Sequence, residues 1–232
     1  MAIKSRISGA IAALLGGVFA GSALADNLDG KEIIGVPVPG GTGFQPAATS
    51  LARELQWLDG FLLVIITIIC LFVTALIAWC ILRFNAKANP NPARFSHNTP
   101  IEVTWTIVPI IILVVIGAFS LPVLFNQQEI PEGDITIKAT GYQWYWGYEY
   151  PEHEFEFDSF MLGETALEDH GYTQAEYRLA TDTAMVVPVD KTIVVQVTAA
   201  DVIHSWTIPA FGVKQDGVPG RIAELWFKAE KE

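Results

Sequence analysis

Two uncharged apolar runs dominate the first half of the chain, Phe61 to Leu82 with 22 residues and Val103 to Phe125 with 23. At about 1.5 Å rise per residue each would reach roughly 33 to 35 Å as a helix, enough to cross a hydrocarbon core about 30 Å thick. Core helices of soluble proteins can be this apolar, but two in succession with charged flanks point to membrane spans. An earlier apolar run, Ile7 to Ala20, is too short, because a span needs about 20 residues. Residues 26–56 include Gly-Val-Pro-Val-Pro-Gly-Gly-Thr-Gly (35–43), a run of turn formers without periodicity, and read as a loop or arm. After Asn126 the period shortens to two. Asp134–Thr140 and Thr192–Thr198 alternate, Glu224–Lys228 is a shorter apolar run, and Gly, Pro and Asp punctuate them. Short strands with turns between them predict a sandwich or barrel. Gly163 to Tyr177 reads as a polar excursion holding a short helix.

Gly141 to Tyr150 places six aromatic rings in ten residues. As one strand, this run would put Tyr142, Trp144, Trp146, Tyr148 and Tyr150 on a single face. Taken alone, it is a sandwich strand burying a heavy aromatic face.

Charge adds direction. The connection between the spans carries Arg83, Lys87 and Arg94 against Glu102, whereas Asp26, Asp29, Glu32, Glu54 and Asp59 face only Lys31 and Arg53 before the first span. Positive charge stays inside, so the connecting loop is expected in the cytoplasm and both flanks outside. Met1 to Ala25 supports this with the three parts of an export signal: Lys4 and Arg6, a short apolar core, and a small-residue site at Ala23-Leu24-Ala25. A retained anchor is the competing reading. The expected domains are thus a signal peptide (1–25), an exported segment (26–56), a helix hairpin (57–125) and an exported domain (126–232). That last domain holds 19 of the 25 acids and 7 of the 14 bases, a formal charge of −12. Such a field attracts cations and repels nucleic acid and anionic lipid heads. Ordinary solubility explains it as well as a basic partner does.

Cys70 and Cys80 fall in the first span, about 15 Å apart along a helix axis, whereas bridged Cα atoms lie about 4.4 to 6.8 Å apart. They are expected to pack as small hydrophobes. At the second span, Thr99 fits an N-cap, Pro100 the first helical position and Glu102 the reciprocal capping partner. An ionisable group this close to lipid is also a functional candidate.

The most informative polar segment is Ala-Ala-Asp-Val-Ile-His-Ser-Trp (199–206), running on through Thr-Ile-Pro-Ala-Phe-Gly-Val-Lys-Gln-Asp-Gly-Val-Pro-Gly-Arg to Arg221. A lone His at a strand end is usually a surface or hydrogen-bonded residue. With the Gln-Trp-Tyr-Trp run and the two spans, however, the chain resembles subunit II of cytochrome c oxidase over nearly its whole length after the first few dozen residues. The resemblance implies a two-helix transmembrane hairpin followed by an all-β cupredoxin-like sandwich. It places the chain in a bacterial cytoplasmic membrane with the sandwich in the periplasm. The implied complex takes electrons from cytochrome c at a dinuclear copper centre, Cu-A, and passes them to subunit I. There haem-bound oxygen is reduced to water with proton translocation.

By the same resemblance His204 is a Cu-A ligand, Trp144 the ring that receives the electron, and Asp182, Asp201 and Glu154 dock cytochrome c. Glu102 lies near the mouth of a proton channel, a role compatible with capping. Asp216 and Arg221 face a magnesium and water region shared with subunit I. The family draws its other copper ligands from a Cys-x-x-x-Cys loop, a second His and a Met, and no Cys or Met follows His204. Several convergent ligands are needed to hold such a metal. The sequence is therefore expected to be a piece lacking that loop, inactive and copper-free by itself. Two rivals compete. A quinol oxidase subunit II shares the topology without Cu-A, but His204, Trp144 and the absence of a Cys after the cleavage site argue against it. A noncatalytic membrane-tethered sandwich acting in assembly or binding is excluded by the family motifs alone.

Overall fold

A computed structural model describes residues 27–28, 31–32 and 34–231. The expected export signal lies outside these residues. Two units are present, dividing after Gly43. In the first, β1 (Asn27–Leu28) pairs antiparallel with β2 (Lys31–Glu32). A turn follows, closed by Gly41 N–H donating to the Val38 carbonyl at 3.0 Å. It falls within the run of turn formers.

The second unit begins with two long helices, α1 (Ser50–Arg83) and α2 (Thr99–Gln128), both long and apolar enough to cross a membrane. Several threonine hydroxyls inside the apolar stretches bond back to their own helices. Thr74 donates to the Cys70 carbonyl at 2.7 Å and Thr106 to that of Glu102 at 2.8 Å. Lipid offers a hydroxyl no other partner. Trp57, Phe61 and Phe119 cluster where the helices meet, with Phe61 and Phe119 centroids 5.1 Å apart. Cys70 and Cys80 are both free thiols in α1.

Two expectations need correction here. Residues 50–56 are helical rather than part of an arm. Their first turn is buried against the β domain through Leu51 and Ala52, so the apolar period of a lipid-facing or freely exposed helix is absent. The cap of α2 is Asn98 rather than Thr99. The Asn98 side chain accepts from Ile101 N–H at 3.3 Å, and Glu102 returns the bond from the Asn98 N–H at 3.1 Å. The reciprocal cap exists, shifted by one residue, because Asn caps at least as well as Thr.

The β domain has a five-stranded sheet in the order β5 (Phe155–Phe160), β4 (Tyr145–Tyr150), β3 (Ile135–Tyr142), β6 (Thr192–Ala199), β9 (Ala223–Lys228). Neighbours are antiparallel except β3 and β6, which are parallel. A ribbon of β7 (His204–Ile208) and β8 (Val213–Gly217) supplies the second layer. Alternation turns Ile137, Ala139, Ile193, Val195, Val197, Leu225 and Phe227 into the space between, where Trp206, Val213 and Leu51 meet them. Phe227 is fully buried, 4.8 Å from Phe211 between ring centroids. Each such side chain contributes about 1.5–3 kcal/mol on burial. The excursion after β5 carries two 3-10 turns, Glu168–His170 and Gln174–Glu176, around a small core of Leu162, Leu167 and Ala180.

The aromatic run is not one strand. Tyr142 ends β3, Gln143 and Trp144 form a two-residue turn, and β4 restarts at Tyr145, which stands opposite Tyr142. Trp146, Tyr148 and Tyr150 still share the inner face. Tyr142 and Tyr145 stack outside at 4.6 Å, continued by Phe160 at 4.5 Å. Trp144 belongs to neither face.

Candidate functional site

The β3–β4 turn, the 200–203 loop and the first residue of β7 converge at one end of the sandwich. Trp144 stands out from the turn at 82% exposure, the most exposed large hydrophobic side chain among the described residues. His204 opens β7 with its side chain 15% exposed. Its imidazole lies over Gly141, where an added Cβ would come within 2.7 Å of the ring, and edge-on to Trp146 at 5.9 Å. Gly141 is therefore required by close approach. Asp201 joins the parts. Its carboxylate accepts from His204 Nε2 at 2.7 Å, from Val202 N–H at 2.6 Å and from Gln143 N–H at 2.8 Å. The His204 N–H, followed by the Val202 amide, holds the Asp201 carboxyl below its usual range.

Beneath this surface the aromatic face is wired by hydrogen bonds. Trp206 Nε1–H donates to the Tyr148 hydroxyl at 3.1 Å, and the Tyr150 hydroxyl donates to the Val186 carbonyl at 2.9 Å. Burial pushes the Tyr148 phenol up, partly offset by the Trp206 donor. A cavity of about 240 Å³ opens between Trp144, Trp146, Met161 and His204.

The predicted acids divide. Asp201 is in the cluster, and Asp182 borders it by accepting from Phe160 N–H at 2.8 Å, Phe160 being opposite Tyr145. Glu154 sits in a left-handed turn (φ 49) past the other end of β4, a strand of six residues and so roughly 20 Å long. Three acids singled out by no motif lie on the outer sheet face: Glu149, Glu156 and Asp158 line a cleft of about 530 Å³ beside Tyr142, Tyr145 and Gly147. The period of two in Glu154-Phe-Glu-Phe-Asp158 was the available signal. Glu102 is in the first turn of α2, roughly 40 Å of helix from Gln128. Asp216 stands opposite Ser205 on the outward side of the β7–β8 ribbon, and Arg221 follows in the loop to β9.

Family models for the periplasmic domain and the transmembrane domain of cytochrome c oxidase subunit II match residues 135–232 and 37–123. "Cytochrome c oxidase subunit 2" of Cereibacter sphaeroides is 62% identical over 93% of this chain and 76% of its own length. The chain belongs to the cytochrome c oxidase subunit II family. "Probable cytochrome c oxidase subunit 2" of Rickettsia bellii is 45% identical over 84% of this chain and 72% of its own length, and the chain spans 61% of the Rickettsia felis relative. The crystal structure of the periplasmic domain of the Bradyrhizobium japonicum subunit II covers 44% of this chain and 68% of its own at 53% identity, with a TM-score of 0.37.

Membership fixes the two helices as a membrane anchor and the β domain as cupredoxin-like. It also implies an oxidoreductase complex with subunit I and cytochrome c as partners, and a copper centre in the intact subunit. The residues described here do not make that centre by themselves. His204 fits one ligand position, since an Nε2–H bound to Asp201 leaves Nδ1 as a lone pair. Among the described residues no group of three or more His, Cys, Asp or Glu side chains converges as a metal site.

Proposed function

We propose that this chain is the electron-accepting subunit of a respiratory haem–copper oxidase. It would receive electrons from a cytochrome c and pass them toward subunit I, where oxygen is reduced to water and protons are pumped. The observation that carries the reading is an exposed indole, Trp144, whose turn is tied by the Gln143 N–H to Asp201, the same carboxylate that binds a nearly buried imidazole, His204. Asp201 and Asp182 lie beside that ring, and the outer-face acids carry negative charge along the sheet away from it, the complement of a basic haem protein. Charge of this kind speeds association more than it strengthens the complex. Glu154 would act at longer range, from the far end of β4. Cu-A, where bound, supplies one-electron chemistry, and His204 is the ligand this chain offers it.

The wider assignment follows the same reading. Residues 1–25 direct export, 26–56 remain outside, the 57–125 hairpin anchors the chain in a bacterial inner membrane, and 126–232 form the periplasmic domain. Glu102, on the cytoplasmic side, feeds protons toward subunit I. Asp216 and Arg221 face subunit I, where a magnesium ion and haem belong to the complex. The test is stopped-flow oxidation of cytochrome c by the assembled oxidase. Trp144→Ala is expected to leave donor binding nearly intact while slowing electron transfer. Asp182→Asn is expected to lower the association rate at low salt and lose that effect as the Debye length falls from about 30 Å at 0.01 M to about 10 Å at 0.1 M. A normal transfer rate in Trp144→Ala overturns the reading.

A further inference from the structure

We infer that Asp201 is a positioning residue: it staples the Trp144 turn to the His204 imidazole and fixes which imidazole nitrogen keeps a lone pair. Its carboxylate bridges segments 58 residues apart in sequence, with one oxygen on Gln143 N–H and the other on Val202 N–H and His204 Nε2. An ionised carboxylate can only accept, so Nε2 carries the proton that faces it, and in the neutral imidazole Nδ1 is then the nitrogen with the lone pair. Gln143 is half of the two-residue turn and Trp144 is the other half, so clamping the Gln143 amide sets where the indole starts. A second tie runs beside it, Ala200 N–H to the Gly141 carbonyl at 3.0 Å. The imidazole is thereby boxed by Gly141, Trp146 and Asp201, and only the Asp201 side is a hydrogen bond. Both carboxylate oxygens are consumed within the chain, although the side chain is 32% exposed. Asp158, on the open sheet face, has the same formal charge without this bridge between turn and imidazole.

The distinction has consequences. A docking charge acts through the field and is screened by salt, whereas a staple acts through geometry and is not. The functional meaning rests on Trp144 and His204 sharing one electron path; the staple itself does not.

The experiment uses the full chain in detergent micelles, labelled with 15N at histidine and backbone amides. In the wild type His204 is expected as the Nε2–H tautomer, with a protected Gln143 amide. Asp201→Ala should raise Gln143 exchange by roughly tenfold, from loss of a hydrogen bond to a charged group, and release the tautomer. Asp201→Asn keeps the shape but supplies one acceptor oxygen, so one of the two signatures should be lost and the other retained. Asp158→Asn should move neither. In the assembled oxidase, the slower electron transfer of Asp201→Asn relative to wild type should persist at high salt, where that of Asp158→Asn disappears. Unchanged tautomer and exchange in both Asp201 variants, or full recovery of Asp201→Asn at high salt, overturns the proposal. If Trp144→Ala transfers electrons normally, the path fails while the NMR result still decides the staple.

Discussion

The two ends of the β7–β8 ribbon are built in opposite ways. At the Ile208–Val213 end the chain closes on itself. Thr49, Leu51 and Ala52 are buried, Thr49 Oγ1 donates to the Phe211 carbonyl at 2.7 Å, and Ala48 N–H to that of Ala210 at 2.9 Å. The Glu230 N–H reaches the Ala48 carbonyl at 3.2 Å, and Arg53 forks onto the Glu230 carboxylate. At the His204 end Trp144 and Ile203 stand 82% and 68% exposed among carboxylates. Exposed apolar surface rimmed by charge marks a place where another molecule docks. The closed end ties the membrane helix α1 directly to the sandwich, so the open end is presented at a set place above the anchor. Rigidity and exposure are separated along one ribbon of five-residue strands.

The largest expected effect tests the closed end. A Cβ at Gly212 would lie 2.7 Å from the Ala52 Cα, and Gly212 has φ +70. Gly212→Ala should destabilise the chain by roughly 2–4 kcal/mol, combining overpacking with backbone strain. Trp144→Ala, at the open end, should change stability by no more than about 0.5 kcal/mol. Denaturant melts in detergent compare them, and equal losses would erase the contrast. Next in size is Thr49→Val. It removes both the α1 cap to Ala52 N–H (3.0 Å) and the bond to Phe211, leaving a buried amide and a partly buried carbonyl unpaired. About 1–3 kcal/mol should be lost, with no change in electron transfer per folded molecule.

Much of this was legible in the sequence, for physical reasons that differ by element. The helices and the β6 and β9 strands declare themselves because one environment, lipid or core, sets their period. Asp134–Thr140 predicts most of β3 for the same reason. The aromatic run misled because Tyr142 and Tyr145 pair across a turn made of Gln143 and Trp144, neither a turn-forming type. Pairing between strands, not periodicity, broke it there. The His204 neighbourhood could be named from its motif. Gly141 against the ring and Gln143 against Asp201 could not, because both contacts join residues about 60 apart. Glu149, Glu156 and Asp158 likewise gain a shared face only through the β4–β5 register.

A smaller effect separates two roles of Glu102, far from both ends of the ribbon. Gln can serve as the same capping partner for the Asn98 N–H, whereas Ala cannot. Glu102→Ala should therefore cost about 0.5–2 kcal/mol locally, and Glu102→Gln almost nothing. If Glu102 collects protons, both variants should slow turnover in the assembled oxidase, and added carboxylic acids should partly restore it. Normal turnover in Glu102→Gln would leave it a cap alone.

The smallest expected effect is the part of the pH dependence that arises at the closed end. Asp134 is held below the usual carboxylate range first by the Thr192 N–H and then by Lys191, and Glu230 first by Arg53. A carboxyl with a depressed folded pKa adds stability that is present above its unfolded value, about 3.9 for Asp and 4.3 for Glu. That stability is lost as pH falls through the folded value. Both groups are solvent-exposed, so each contribution should be modest and the charged partners partly screened. The leading cause at Asp134 is a backbone bond, 2.8 Å from Thr192 N–H, which salt does not screen. The Asp134 part of the acid limb should therefore survive in high salt while the Arg53–Glu230 part shrinks. Asp134→Asn should flatten the remaining slope of the denaturation midpoint between pH 5 and pH 2, roughly the window set by those ordinary values. An unchanged slope would mean that the Asp134 charge adds nothing to the register of β3 against β6, which the Asp134 N–H bond to the Thr192 carbonyl and the pairing of Ile135 and Ile137 then hold.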